Sequence, residues 1–235
     1  MALRRSGDVR SAVRSLVRSV PPLEHGLLRF RFGDLRRTEP MSRWGSARGT
    51  PVDRTWIVEF LESHADGVRG RVLEVKEDLY ASRFGACEVD VVDLDTANPL
   101  ATLVGDLCDP ATLPPARFDA AIVTHTLQYV RDPSAAVRHL LASLCPGGML
   151  LITVPTVMRV DGPSDRWRWT PHGLSTLLEQ ASPPGATVSV VGYGNGLGAR
   201  AFLFGLAAED LQPQALGTPD PAYPVMAGGL VRVPS

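Results

Sequence analysis

The sequence predicts an α/β fold built on a doubly wound, mostly parallel sheet, and three observations carry that expectation. Residues 71–106 hold three short apolar runs, each ending in polar residues. Val72, Leu73 and Val75 stop at Lys76-Glu77-Asp78; residues 89–94 end among Asp93 and Asp95; residues 102–104 end at Gly105-Asp106. Short continuous apolar runs of this kind are strands buried on both faces, as parallel strands are. Further runs at 118–123 and 149–154 flank a stretch with Ala136, Val137, Leu140, Leu141 and Leu144 at helical spacing, so strand and helix alternate. Finally, 235 residues suit a single α/β domain with one sizeable core.

In open α/β sheets, ligands bind outside the carboxyl ends of the strands. Those ends here are acidic. Asp93 and Asp95 follow Glu74 by about twenty residues, the separation at which an acid reaches ribose hydroxyls in dinucleotide sites. Composition removes other classes. A formal net charge of −1 gives no global attraction to nucleic acid or to an anionic membrane, and 44% hydrophobic with 21% charged residues is ordinary globular usage. No apolar run reaches the ~18 residues of a membrane-spanning helix. Cys87, Cys108 and Cys145 lack paired spacing for zinc or a disulfide framework, so no metal site is expected. Cys87 and Cys145 adjoin apolar runs and are expected to be buried thiols, which fits a reducing cytoplasm.

In chain order, Val9, Val13, Leu16, Val17 and Val20 recur at helical spacing in a basic segment that Pro21-Pro22 stops, which suits a docked or lid-like helix followed by an apolar stretch at 27–32. Residues 33–50 read as loop. Thr50 is expected to cap a helix carrying Trp56, Ile57, Phe60 and Leu61, with Pro51 at its first position and Asp53 favoured by the helix dipole. Asp132 and Pro133 open the next helix, which Pro146-Gly147-Gly148 ends; Thr170 and Pro171 open another. The loop between 155 and 170 holds Asp161, Asp165, Arg166, Trp167, Arg168 and Trp169, a set suited to recognising an acceptor through stacking and charge. Strands follow at 187–191 and 225–233. The glycine-rich 192–198 lacks a following acidic strand and reads as a packed turn, not a phosphate loop. His125, at the end of the fourth strand, titrates near neutrality in its free state and is the candidate general base.

Glu74, Asp93 or Asp95, Gly105-Asp106, Phe118-Asp119 and the Cys145-Pro146-Gly147-Gly148 turn follow, in this order, the pattern of the class I S-adenosylmethionine-dependent methyltransferases, which the chain resembles from about residue 49 onward. It is most similar to a branch found beside glycosyltransferases and in natural-product pathways. The resemblance implies a seven-stranded, Rossmann-like methyltransferase sheet with a C-terminal antiparallel strand, an N-terminal lid or docking segment over 1–50 and a methyltransferase-like domain over 51–235. It implies S-adenosylmethionine as cofactor, with Glu74, Asp93, Asp95, Asp106 and Leu107 at its polar ends and adenine, and Thr124 lining the pocket. Arg48, Asp53 and Arg54 would be lid residues over that pocket. His125, with Asp165 in reserve, would be the base; Tyr129, Arg166, Trp167 and Arg168 would meet the acceptor.

One departure stands out. The family's glycine-rich turn after the first strand is matched here by Lys76, Asp78 and Tyr80, where glycine normally permits positive φ and close approach of a ligand. Lys76, the only lysine of the chain, and Tyr80 would then face the cofactor or close its pocket. The expected function is methyl transfer to a hydroxyl, or less so an amine, of a glycosylated or polyketide-like small molecule. The rivals are a methyltransferase-like scaffold recruited as a cyclase, or a subunit partnering a glycosyltransferase, with a homodimer compatible with either; a nicotinamide enzyme lacks its G-x-G-x-x-G.

Overall fold

The computed structural model describes residues 38–235, so the helix expected at 9–20 and the apolar stretch at 27–32 lie outside the described residues. Seven strands form one sheet: β1 (Arg71–Val75), β2 (Glu88–Asp93), β3 (Leu103–Val104), β4 (Phe118–Thr124), β5 (Leu144–Pro155), β6 (Thr187–Tyr193) and β7 (Met226–Arg232). Their order is β3-β2-β1-β4-β5-β7-β6. β1 pairs in parallel with both β2 and β4, and β4 with β5, while β7 runs antiparallel between β5 and β6. The chain leaves β1 toward β3, then returns to β4 on β1's other side. That reversal opens a crevice at the carboxyl ends of β1 and β4.

Side-chain alternation along these strands builds two cores. Leu73, Ala121, Val123, Leu150 and Ile152 face α3 (Pro133–Ala142) and α4 (Pro171–Ala181), meeting Val137, Leu140, Leu174 and Leu178. Val72, Ala120, Ile122, Met149 and Leu151 point the other way, against Trp56, Ile57 and Phe60 of α1 (Val52–Glu62) and Phe202 of α5 (Gly196–Leu203). Burial on both faces is why these strands read as unbroken apolar runs rather than alternating ones. Two short helices, α2 (Ala81–Phe84) and α6 (Pro213–Leu216), complete the α-helices among the described residues.

The helix starts follow their capping chemistry. Asp132 accepts from the Ala135 N–H at 2.9 Å, Thr170 from Gly173 at 3.1 Å, and Asn195 from Leu197 and Gly198 at 3.0 and 2.9 Å. The glycine-rich 192–198 is a packed turn as expected: a Cβ on Gly198 would lie 2.6 Å from the Trp56 ring. Three details differ from the sequence expectations. Thr50 does not cap α1; its N–H and hydroxyl both donate to the Glu209 carboxylate, and Pro51 occupies the cap. Leu144 and the Pro146-Gly147-Gly148 turn belong to β5, because Arg117 and Phe118 take the Ser143 carbonyl and draw the chain straight into the sheet with a register shift. Cys87 is exposed and Cys108 and Cys145 half-buried, each a free thiol, so the expectation of buried thiols at 87 and 145 fails. Met41–Ser235 forms one compact unit, and no described helix is long and apolar enough to cross a membrane.

α1 lies close against β7 at Gly228, where a Cβ would stand 2.6 Å from the buried Phe60 ring. Gly228→Ala is therefore expected to lower stability by about 1–3 kcal/mol, read as a lower midpoint in chemical denaturation with an unchanged slope.

Candidate active site

The crevice is a cleft of about 850 Å³ whose wall includes the ends of β1, β2 and β4. Its floor depends on Glu74. This residue is 3% exposed, and its carboxylate accepts from the N–H groups of Leu79 (3.1 Å), Tyr80 (3.1 Å) and Ala81 (2.9 Å), the amides that open α2. Burial pushes the Glu74 carboxyl up, while these backbone bonds pull it back. Much of its bonding capacity is thus spent on the turn rather than left for a ligand.

Along that turn Lys76 adopts φ 72°, a left-handed conformation that favours glycine. Its N–H donates to the Val92 carbonyl (2.9 Å), and its own carbonyl accepts from the Asn98 side chain (2.8 Å). The same Asn98 amide donates to Asp93 (2.7 Å), so one side chain ties the turn after β1 to the end of β2. Asp78 needs no glycine geometry; it bonds the Ser82 N–H and hydroxyl. Tyr80 is buried beneath the turn, where its hydroxyl accepts from Arg54 (3.0 Å) and its ring stacks on Phe84.

Asp93, Asp106, Leu107 and Thr124 line the cleft, as does Lys76. Burial alone would raise the Asp93 carboxyl, but the Asp95 N–H, the Asn98 amide and the nearby Lys76 charge hold it below the usual carboxylate range. Asp106 is likewise held low, chiefly by the Cys108 N–H (2.9 Å) and further by Arg131 (3.3 Å). Asp95 and Tyr80 do not reach the cleft wall. Asp95 is exposed and folded back on the Ala97 N–H, so the acid at the end of β2 that faces the cleft is Asp93.

The opposite wall is built around His125, whose backbone is also left-handed (φ 43°) and is pinned by its N–H to the Thr153 carbonyl (2.9 Å). Its Nδ1 lies 3.4 Å from Oδ2 of Asp53, in the first turn of α1. Asp53 is in the first turn of α1 as expected, and it is buried beside the histidine in the cleft wall. Three buried atoms here, Asp53 Oδ1, His125 Nε2 and Gln128 Oε1, have no hydrogen-bond partner among the described residues. Burial, reinforced by the charges of Arg54 and Arg168, depresses the His125 imidazole to about 3, and burial raises Asp53, which Arg54 pulls back. His125 is therefore neutral across the physiological range.

Over the cleft, Asp161 accepts from Arg43 (2.8 Å) and from the Tyr129 hydroxyl (3.2 Å), and the Trp44 ring lies under Arg159 (4.8 Å). Tyr129 and Arg166 line the cleft, although Arg166 spends one nitrogen on the Tyr129 and Ser164 carbonyls. Asp165, Trp167 and Arg168 do not line it. The Asp165 side chain is fully buried, and its two oxygens meet the two nitrogens of Arg168 at 2.5 and 2.7 Å, so it cannot serve as a reserve base. Arg168 also holds the Arg159 carbonyl, and the Trp167 indole N–H donates to Val130 (2.8 Å). These three frame the loop beside the cleft. Arg48 pairs with Asp210, and so is a tether rather than a lid residue. Trp44 and Met158, which do line the cleft, carried no periodic or motif signal in the sequence.

Two outcomes follow. Unfolding lets His125 take up a proton near pH 6.5 that the folded chain refuses until about pH 3, so stability falls as pH drops through that window. Between pH 7 and 4.5, the wild type is expected to lose about 2 kcal/mol more than His125→Gln, measured by urea denaturation at each pH. Lys76→Gly, by relieving the left-handed residue, is expected to raise stability by about 1 kcal/mol; an equal loss would show that the lysine side chain outweighs the backbone strain.

A family model described as a methyltransferase domain matches residues 53–182. No curated protein matches. Among solved structures, the chain is similar to an S-adenosylmethionine-dependent methyltransferase from Mesorhizobium loti, with 17% identity over 77% of this chain and 99% of that one and a TM-score of 0.54. It is also similar to phosphoethanolamine N-methyltransferase 2 of Haemonchus contortus, solved with S-adenosylmethionine, with 14% identity over 88% of this chain and 56% of that one and a TM-score of 0.52. A third similar structure is the cyclase SpnF, at 20% identity over 84% of this chain and 85% of that one, TM-score 0.50. The sheet order, the acid-lined crevice and the matched model, which spans more than half of the sequence, agree: the chain belongs to the methyltransferase domain family.

Proposed function

We propose that this chain transfers a methyl group from S-adenosylmethionine to a protic group, a hydroxyl or an amine, of a small molecule. The observation that carries the reading is the buried, neutral His125 with an unpartnered Nε2 in the wall of the acid-lined cleft. The cofactor fits the residues present. Asp93 retains lone pairs for ribose hydroxyls, and Asp106 for an adenine amino group. Leu94, 69% exposed in the cleft wall, and the buried Leu107 offer apolar surface to a flat base. Lys76 keeps the glycine-like backbone and can set its ammonium toward a carboxylate. Glu74 acts indirectly, by holding the turn.

Bound S-adenosylmethionine supplies an electrophilic methyl group on a positively charged sulfur. The chain's own contribution is position and hydrogen bonding. His125 Nε2, next to Asp53, keeps a bare lone pair that can accept a hydrogen bond from the acceptor's O–H or N–H and orient it toward the methyl group. Tyr129, Asp161 and Trp44 line the cleft, and Arg43 bonds Asp161, so closure of this side over a ligand would shield it from water. The resemblance supports a glycosylated or polyketide-like natural product as acceptor, and three free cysteines suit a reducing cytoplasm.

A strained Lys76 in place of glycine favours one second reading, a scaffold of this family that performs no methyl transfer. The test is release of S-adenosylhomocysteine from S-adenosylmethionine in the presence of panels of hydroxyl- and amine-bearing natural products. The wild type is expected to turn over, with His125→Gln slowed by about 100-fold at unchanged cofactor affinity. A His125→Gln enzyme with full turnover would remove the histidine from this role, and a wild type inert on every panel would favour the second reading.

A further inference from the structure

We propose that the acceptor carries an oxyanion, a carboxylate or a phosphate, and that the Arg166 guanidinium in the cleft wall binds it. This rests on the methyltransferase reading and names the class of molecule that the site takes.

One side of the cleft holds more positive charge than it neutralises. Residues 41–46 and the loop at 156–169 carry Arg43, Arg159, Arg166 and Arg168 against Asp161 and Asp165. Two pairs form, Arg43 with Asp161 at 2.8 Å and Arg168 with Asp165 at 2.5 Å. Arg159 and Arg166 are left without a carboxylate partner among the described residues. Arg159 rests over the Trp44 ring and does not line the cleft; Arg166 does.

Arg166 is held in place without being neutralised. Its backbone N–H donates to the Gln128 carbonyl at 2.7 Å, and its Nη1 donates to the carbonyls of Tyr129 at 3.0 Å and Ser164 at 2.7 Å. These bonds orient the guanidinium through one nitrogen, and Nε and Nη2 make no hydrogen bond among the described residues. A planar fork tethered by neutral carbonyls keeps its charge and presents two parallel donors, the arrangement that suits carboxylate and phosphate oxygens. Less conformational freedom is then lost when the anion binds.

The other cations lining the cleft are committed elsewhere. Arg131 pairs with Asp106 at 3.3 Å, the Lys76 charge acts on Asp93, and Arg54 acts on Asp53 while donating to the Tyr80 hydroxyl. Asp161, the lining acid of the same loop as Arg166, already accepts from Arg43 and from the Tyr129 hydroxyl. Arg166 is tied to residues 128 and 129, and the same segment carries His125. An acceptor anchored there by its anion has the histidine a few residues along the wall.

The cofactor's own carboxylate is a second source of the same chemistry, and the test separates the two. Benzoate, phenyl phosphate and the neutral benzamide are titrated calorimetrically into the full chain saturated with S-adenosylhomocysteine, at low and at high salt. At least one anion is expected to bind about tenfold or more tightly than the amide, with the preference shrinking at high salt; the tighter of the two names the oxyanion. Arg166→Gln, which keeps an amide donor for the carbonyls, is expected to abolish that preference at unchanged S-adenosylhomocysteine affinity and unchanged denaturation midpoint. Arg166→Lys, with the charge but not the fork, is expected to weaken it about threefold, and Arg159→Gln to leave it intact. No preference for either anion, or no binding of any probe, overturns the proposal and leaves methyl transfer standing. So does a preference that survives in Arg166→Gln or vanishes in Arg159→Gln. A loss of S-adenosylhomocysteine affinity in Arg166→Gln, with the anion preference unchanged, would place Arg166 at the cofactor's carboxylate and overturn it too. Failure of the folded wild type to bind S-adenosylhomocysteine removes the methyltransferase reading and the proposal together.

Discussion

The cleft depends on one interaction, the Glu74 carboxylate gathering the N–H groups of Leu79, Tyr80 and Ala81. Hydrogen bonds to a charged group contribute about 1.5–3 kcal/mol each, enough to fix a turn whose sequence is otherwise unsuited to it. A four-residue helix such as α2 has little stability of its own, because nucleation is costly. Glu74 supplies what a helix cap would, from the end of the neighbouring strand. With the turn fixed, Lys76 is held in a conformation costing roughly 1–2 kcal/mol for a residue with a Cβ, and Asn98 locks it to Asp93. The glycine geometry survives without the glycine.

The second constraint is on the other wall. Burying His125 and Asp53 side by side with unpartnered atoms is unfavourable for folding in isolation, and such sites are concentrated where function requires them. The left-handed backbone at His125 points to the same conclusion, since strained residues persist when the surrounding structure over-determines them. Here the Thr153 carbonyl and α1 do so. Strain at residues 76 and 125 thus brackets the cleft, one site on the turn after β1 and one after β4.

What was legible in the sequence followed from local chemistry. Strands buried on both faces read as continuous runs, and Asp132 and Thr170 cap helices because their side chains reach N–H groups three residues on. The ordering of Glu74, Asp93 and Asp106 along the sheet edge was visible for the same reason. Long-range choices were not. Thr50 looks like a cap until Glu209, far along the chain, offers a carboxylate to both its donors. Asp165 looks like a base until Arg168 claims both its oxygens. Asp53 is readable as a first-turn acid, but nothing local announces that His125 will lie against it. Trp44 reaches the cleft from a stretch with no periodicity.

The account's central claim is that a glutamate-held turn keeps a working cofactor site where glycine has been replaced by lysine. Calorimetric titration of S-adenosylhomocysteine into the purified wild-type chain tests it most directly, alongside the same titration into Lys76→Gly. Micromolar binding to both chains, within a few-fold of each other, is the expected result, because Lys76 already holds the required backbone. Binding that appears only when Lys76 is replaced by glycine would mean that the lysine closes the site, and would contradict the account.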